Sequence, residues 1–299
     1  MTKHFIDFDD YSHEALQKII DSAMALKAEH KSGAVNNSLE NKTLAMIFDK
    51  SSTRTRVSFE VGMTQLGGHS LFLSERDIQL GRGEPVIDSA IVISSMVDAV
   101  MLRVSSHEDI IEFSKHSSKP IINALSDQSH PCQILADLMT YQEQRGSIQG
   151  KRIAWIGDGG NVCQTYMQAA KIFGFELNIA TPKGYQPSQP FIDNYRTSVS
   201  HFSDPMDACD GADIVVTDVW TSMGKESEKK QRLNDFKGYQ VDQKMMSAAK
   251  SDALFMHCLP AHRGEEVSAE VIDGKQGAVW AAAENRLHAQ KALLIHLIG

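Results

Sequence analysis

Two arginines and four hydroxyls fall within six consecutive positions, Ser51-Ser52-Thr53-Arg54-Thr55-Arg56, just after the apolar stretch Thr43-Leu44-Ala45-Met46-Ile47-Phe48. A strand that feeds a helix leaves the first-turn N–H groups unpaired and aimed at whatever sits before the helix. Ser52, Thr53 and Thr55 add hydroxyl donors there, and Arg54 adds a planar fork matched to phosphate oxygens. The pattern points to a phosphate-like anion. The helix that would present it reads over 57–66 and closes at Gly67-Gly68. The competing reading is an ordinary Ser/Thr cap beside two solvated arginines.

Other chemically capable residues also follow short apolar segments. Arg103 comes after Ala99-Val100-Met101-Leu102, and His130-Pro131-Cys132-Gln133 opens a helix after the segment 120–123. Asn161 follows Gly157-Asp158-Gly159-Gly160, Asp218 closes Asp213-Ile214-Val215-Val216-Thr217, and Cys258-Leu259-Pro260 follows Ala253-Leu254-Phe255-Met256-His257. In open parallel sheets, ligands bind beyond the carboxyl ends of the strands, where all of these residues fall. Taken singly, Arg103 would be a polar side chain on the surface, Cys258 a buried structural thiol and Asp218 a strand-end cap.

The elements that must position them alternate strand and helix. Leu16, Ile19, Ile20, Ala23 and Leu26 give a helical spacing to residues 12–30. Strands are expected at 43–48, 69–73, 98–102 and 120–123, each followed by a helix, the fourth running over 131–144. A second series has strands at 151–157, 176–180, 213–218 and 253–257. The polar segment 145–150 separates the two, so the domains are expected at 1–145 and 146–280, with a final helix within 281–299 packing back on the first. The alternation predicts an α/β protein of two doubly wound, parallel-sheet domains, with one large barrel as the competitor.

Composition narrows the partners. Thirty Lys and Arg against 38 Asp and Glu give a formal net charge of −8, which argues against nucleic acid or an anionic membrane as the main partner. No apolar run reaches the roughly 18 residues of a membrane span. The N-terminal Met1-Thr2-Lys3-His4-Phe5-Ile6-Asp7 lacks the apolar core of a signal peptide, so a cytoplasmic location is expected. Cysteines 132, 163, 209 and 258 show neither a Cys-x-x-Cys pair nor zinc spacing, and free thiols are expected. Gly157-Asp158-Gly159-Gly160 is a poor dinucleotide fingerprint, because Val162 stands where a third glycine is needed.

Ser52-Thr53-Arg54-Thr55-Arg56, His130-Pro131-Cys132-Gln133, Asp218 through Ser222-Met223-Gly224, His257-Cys258-Leu259-Pro260 and Glu284-Asn285-Arg286 together resemble the aspartate/ornithine carbamoyltransferase family, over nearly the whole chain. The first two motifs are similar to those of every member. The Ser-Met-Gly and His-Cys-Leu-Pro segments resemble the ornithine branch only; an aspartate enzyme would be expected to carry proline in place of Cys258.

The resemblance implies carbamoyl phosphate and L-ornithine as substrates, citrulline and phosphate as products, and a place in arginine biosynthesis or degradation. It implies an active site in the cleft between the domains, with neither cofactor nor metal. Ser52, Thr53, Arg54 and Thr55 match the phosphate-binding positions, Arg103 and His130 those that hold the carbonyl oxygen, and Gln133 the one that fixes the amide. Gln79 matches a loop that reaches into a neighbouring subunit's site, which implies a homotrimer or a multiple of one. Asp218, Ser222, Met223 and Asn161 match the contacts to the α-amino and carboxylate groups. Cys258 and Leu259 match the end that receives the side-chain amine, and Arg286 reaches back to carbamoyl phosphate. The catalytic candidates are Arg54, Arg103, His130, Cys258 and Arg286.

The chemistry implied is direct attack of the neutral δ-amine on the carbamoyl carbon, with charge stabilisation at the oxyanion and phosphate as the proton acceptor. Two departures stand out: Gly160 where the branch usually has asparagine, which would loosen that loop, and Ile91 where relatives commonly have arginine. Two other classes compete: a non-catalytic regulator on the same fold, which would lose part of the anion site, and a carbamoyltransferase acting on aspartate, putrescine or an N-acylated ornithine, which would alter the second domain.

Overall fold

The computed structural model describes residues 3–74, 83–221 and 226–299. The chain divides into two compact units, Met1–Met139 with Glu284–Gly299, and Thr140–Ala283.

The first unit begins with α1 (His13–Lys31), capped by Ser12, whose Oγ accepts a hydrogen bond from Ala15 N at 3.3 Å. Its Leu16, Ile19, Ile20, Ala23 and Leu26 are the buried face. Then follow β1 (Thr43–Phe48), α2 (Thr53–Gln65), β2 (His69–Ser74), α3 (Val86–Met96), β3 (Ala99–Arg103), α4 (His107–His116), β4 (Ile121–Leu125) and α5 (Pro131–Arg145). The four strands are parallel in the order β2-β1-β3-β4. Both faces of β1 and β3 are covered, so these strands read as continuous apolar runs. Ala45, Ile47, Val100 and Leu102 pack against Ala90 of α3 and Ile110 and Phe113 of α4. Each large side chain so buried stabilises by about 1.5–3 kcal/mol.

The second unit contains β5 (Arg152–Ile156), α6 (Asn161–Phe173), β6 (Glu176–Ala180), α7 (Gln189–Tyr195), β7 (Val199–Phe202), α8 (Pro205–Cys209), β8 (Ile214–Thr217), α9 (Lys229–Asp235), α10 (Gln243–Ala248), β9 (Leu254–His257), α11 (Ala269–Ile272) and the start of α12 (Val279–Ile298). Its sheet is also all parallel, in the order β7-β6-β5-β8-β9. Ala154, Ile156, Val215 and Phe255 share a core with Met245, Met246, Val267 and Val271.

Three details differ from the sequence reading. Strand β7 has no counterpart in it, because Val199-Ser200-His201-Phe202 forms a half-exposed edge with no apolar run. Helix α2 starts at Thr53 rather than 57, since Ser52 caps it by accepting a hydrogen bond from Thr55 N. Arg103 is the last residue of β3 rather than following it, at a register shift against β4. The division between units falls inside α5 and again inside α12, so the chain passes between them twice. Among the described residues no helix is long and apolar enough to cross a membrane.

Candidate active site

In the first sheet the winding reverses between β1 and β3, and in the second between β5 and β8. Such switch points open a crevice at the strands' carboxyl ends. Ser52–Thr55 follow β1 and Arg103 ends β3; Asn161 follows β5 and Asp218 follows β8.

In the first unit, Phe48 and Arg103 lie side by side in register, which brings the start of α2 next to the Arg103 side chain. Thr55, 1% exposed, is the meeting point: its Oγ1 accepts from Arg103 Nη1 and from Arg286 Nη2, both at 3.2 Å. Arg286 Nη1 also donates to Gln133 Oε1 at 2.7 Å, and Gln133 Nε2 donates to Asp137 Oδ1 at 2.9 Å. The first turn of α2 holds Arg54 and Arg56 and no acidic residue. Cations at a helix N-terminus oppose the helix dipole, so this turn sets aside local stability in favour of positive charge.

His130 is buried just before α5. Burial, together with the guanidinium groups of Arg286, Arg103 and Arg54, holds its pKa well below the ordinary 6.5, so the ring is neutral. A neutral imidazole can donate a hydrogen bond to a developing oxyanion without adding a further positive charge to the site. Ser52 is half-buried and spends its oxygen on the helix cap, while Thr53 stands exposed at the first position of α2. Cys132, within the His-Pro-Cys-Gln motif, is an inert thiol: it donates to Asn123 O, and burial pushes its pKa up to about 12.

In the second unit, Cys258 Sγ donates to Asp218 Oδ1 at 3.0 Å, and Val219 N donates to the same oxygen at 2.7 Å. Leu259 is left-handed at φ 58, a conformation that costs a non-glycine residue about 1–2 kcal/mol, and its N–H donates to His257 Nδ1 at 2.8 Å. Asn161 opens α6, where its Oδ1 accepts from Val162 N at 3.0 Å. Gly159 must be glycine, because a Cβ there would lie 2.3 Å from Pro187 N; a Cβ on Gly160 would meet nothing within 4 Å. The departure at Gly160 is therefore not imposed by crowding.

Arg54, Thr55, Arg103, His130, Gln133 and Arg286 thus share one cluster, and Asp218 and Cys258 another. Gln79, Ser222 and Met223 lie outside the described residues. Two further groups had no local signal in the sequence. Asp137 anchors Gln133 one helical turn on. Arg232, buried on α9, donates to Asp158 Oδ2, Glu228 Oε2 and Trp220 O, so it ties the loop after β5 to the segment after β8.

Among the described residues two groups bring three potential metal ligands within 4.8 Å of one another, Asp218-His257-Cys258 and His262-Glu265-Glu266. In the first, His257 Nδ1 is taken by Leu259 N–H and its Nε2 faces Glu266 at 3.2 Å, so the ring has no nitrogen to offer. In the second, a cation would compete with Lys229, whose Nζ lies 3.0 Å from Glu265 Oε1.

Comparison with known proteins gives matches over the whole chain. Residues 3–143 match the carbamoyl-phosphate-binding domain of aspartate/ornithine carbamoyltransferase, and residues 149–297 match its Asp/Orn-binding domain. The ornithine carbamoyltransferase of Ruthia magnifica subsp. Calyptogena magnifica is 66% identical over 299 residues, covering 100% of both chains. The crystal structure of ornithine carbamoyltransferase from Burkholderia thailandensis E264 is 50% identical, with a TM-score of 0.92 over 99% of this chain and 98% of that one. The Pyrococcus furiosus ornithine carbamoyltransferase structure is 47% identical, with a TM-score of 0.95 over 99% of this chain and 97% of that one. With both domain models matched in order, and a parallel sheet in each unit carrying its polar cluster at the strand ends, the chain belongs to the aspartate/ornithine carbamoyltransferase family.

Proposed function

We propose that this carbamoyltransferase acts on L-ornithine, converting carbamoyl phosphate and ornithine to citrulline and phosphate in arginine biosynthesis or degradation. The observation that carries the reading is the pairing of Cys258 with Asp218 in a chain that also gathers three arginines around a neutral His130.

Carbamoyl phosphate is a dianion joined to a polarised carbonyl. Ser52, Thr53, Arg54, Thr55 and the first-turn amides of α2 hold its phosphate, with Gln79 contributed by a neighbouring subunit. Arg103 and His130 hold the carbonyl oxygen, Gln133 orients the amide, and Arg286 bridges Gln133 and Thr55 behind the ligand. Asp218 and Ser222 take the α-ammonium of ornithine, Asn161 and the Met223 backbone its carboxylate, and Cys258 and Leu259 its side-chain amine.

The δ-amine starts near a pKa of about 10, as lysine does, and must be neutral to attack. An ammonium already held at the α position disfavours a second charge on the same molecule. The amine nitrogen bonds to the carbamoyl carbon, and the carbonyl oxygen takes up negative charge facing Arg54, Arg103 and His130. The bond to the phosphate oxygen then breaks, and the departing phosphate accepts the amine's proton. Proximity and fixed charge supply the acceleration.

Assembly as a trimer, or a multiple of one, is supported by apolar side chains left open on the helices flanking β2. Val57 and Val61 stand one turn apart on α2, and Ile87, Ile91, Val92 and Met96 on α3, with Ile91 53% and Met96 76% exposed. An isoleucine at position 91 fits a face that another copy covers. The absence of a membrane-crossing helix among the described residues accords with a cytoplasmic location.

The test is citrulline formation from carbamoyl phosphate across a panel of amines. A higher kcat/KM with aspartate or putrescine than with ornithine overturns the assignment.

A further inference from the structure

Glu266 and His257 form a fully buried polar pair, both side chains at 0% exposure, at the end of a strand whose other members are apolar. Burying such groups opposes folding unless their hydrogen bonds are made, and a pair of apolar side chains would fill the space at lower cost. The hydrogen bonds show what the pair is for. His257 Nδ1 accepts Leu259 N–H at 2.8 Å, which fixes the tautomer and leaves Nε2–H to donate to Glu266 Oε1 at 3.2 Å. The same Glu266 oxygen accepts His262 N–H at 2.5 Å. One carboxyl oxygen therefore grips the chain on both sides of the turn 258–261, by a side chain before it and a backbone amide after it. Within that turn Leu259 occupies the left-handed region that a leucine seldom adopts, so neighbouring bonds must hold it there. Cys258, whose thiol meets Asp218 Oδ1, is the residue between the ring and the constrained amide.

We infer that Glu266 and His257 are positioning residues: Glu266 orients the His257 ring, the ring sets the Leu259 amide, and the turn so fixed aims Cys258 at Asp218 and at the reacting amine. This rests on the reading of Cys258 and Asp218 as the ornithine side of the site. Neither Glu266 nor His257 touches substrate. Their effect is geometric, and a displacement of about 1 Å at a reacting group costs on the order of 10²-fold in rate.

The experiment separates the two bonds of the ring in the full-length protein. In His257→Asn, the amide oxygen takes the place of Nδ1 and keeps the Leu259 bond while losing Glu266. In His257→Gln, the amide nitrogen takes the place of Nε2, keeping Glu266 and losing Leu259. Glu266→Gln keeps an acceptor for the ring and for His262, and Glu266→Ala removes it. Ornithine KM, carbamoyl phosphate KM, Tm and the rate of Cys258 alkylation by iodoacetamide are measured for each; the other three cysteines are buried. His257→Gln and Glu266→Ala should raise ornithine KM at least about tenfold and change the Cys258 alkylation rate, with carbamoyl phosphate KM within about twofold, whereas Glu266→Gln recovers most of the loss and His257→Asn, which keeps the Leu259 bond but not the Glu266 anchor, falls in between. Equal losses in His257→Asn and His257→Gln that follow Tm overturn the inference, as does an unchanged ornithine KM in Glu266→Ala. If His257→Gln fails to fold, the two Glu266 variants decide. If the wild-type enzyme does not use ornithine, the site reading fails on its own, while the alkylation rates still report on the turn.

Discussion

Arg286 and Gln133, 153 positions apart in the chain, are joined by a hydrogen bond of 2.7 Å, and the same guanidinium reaches Thr55 at the start of α2. The planar fork serves the two acceptors from two separate nitrogens, a spread that the single ammonium nitrogen of a lysine does not have. Arg286→Lys should therefore behave like Arg286→Ala, each raising the carbamoyl phosphate KM and lowering kcat by about 10²-fold or more. Recovery of near-wild-type kinetics by the lysine variant would show that charge alone suffices.

In the proposed mechanism Arg54 faces both the phosphate and the developing oxyanion. Arg54→Ala should lower kcat by several orders of magnitude with both substrates saturating, since losing one oxyanion donor already costs about 10²–10³. A fall of less than tenfold would remove Arg54 from the site.

The amine end makes a separate claim. Lysine should be used far less well than ornithine, because one more methylene carries the nucleophile past the carbamoyl carbon, at a cost of about 10²-fold per ångström of misplacement. Putrescine should be worse, since it leaves the α-amino and carboxylate contacts unpaired, a discrimination of roughly 10⁴ or more. At subsaturating ornithine the rate should rise between about pH 7 and 9 as the neutral amine becomes available. Asp218→Asn should raise ornithine KM strongly and leave carbamoyl phosphate binding nearly intact, which equilibrium binding of the latter alone would check.

Stability should fall on the acid side. Burial lowers the pKa values of His4, His130, His201, His288 and His296 from 6.5, so the unfolded chain takes up protons there before the folded one does. For His288 the folded value is about 4, with Lys291 and Lys27 adding to burial. Its contribution is intact above about pH 6.5 and is lost progressively between about 6.5 and 4. His107 works in the opposite sense: burial lowers its pKa, but the bond to Asp7 together with the charges of Asp7, Asp127 and Asp10 raises it overall. Five lowered rings against one raised predict a lower Tm at pH 5 than at pH 7.5. His288→Gln should flatten that slope, and a Tm independent of pH over this range would contradict the assignment.

Assembly can be tested by mixing. An inactive Gln79 variant combined with an inactive Arg54 variant should regain activity when subunits re-assort, because some interfaces then carry both intact residues. Full activity from a monomer in dilute sedimentation would exclude shared sites.

Much of this architecture is legible in the sequence because parallel strands buried on both faces are written as unbroken apolar runs, such as Thr43–Phe48 and Leu254–His257. β7 escapes because an exposed edge strand needs no such run. The start of α2 escapes for a different reason: two arginines in its first turn contradict helix electrostatics, and the sequence signal for a helix begins only after them. Arg54, Arg103 and His130 could be found by their places at or just after the carboxyl ends of strands. Asp137, Arg232 and Glu266 could not, since each acts by holding another side chain or a turn, and such support leaves no mark in local spacing.

The first unit takes its last segment, Glu284–Gly299, from beyond the whole of the second. During synthesis, residues 1–139 therefore emerge with the anion cluster lacking Arg286, and Thr55 and Gln133 wait for their common partner while 140–283 are made. At about 5–20 residues per second this delay is on the order of ten seconds. A nascent chain can build its first sheet early, but the bonds that join Thr55 and Gln133 through one guanidinium form only once the final helix has been made.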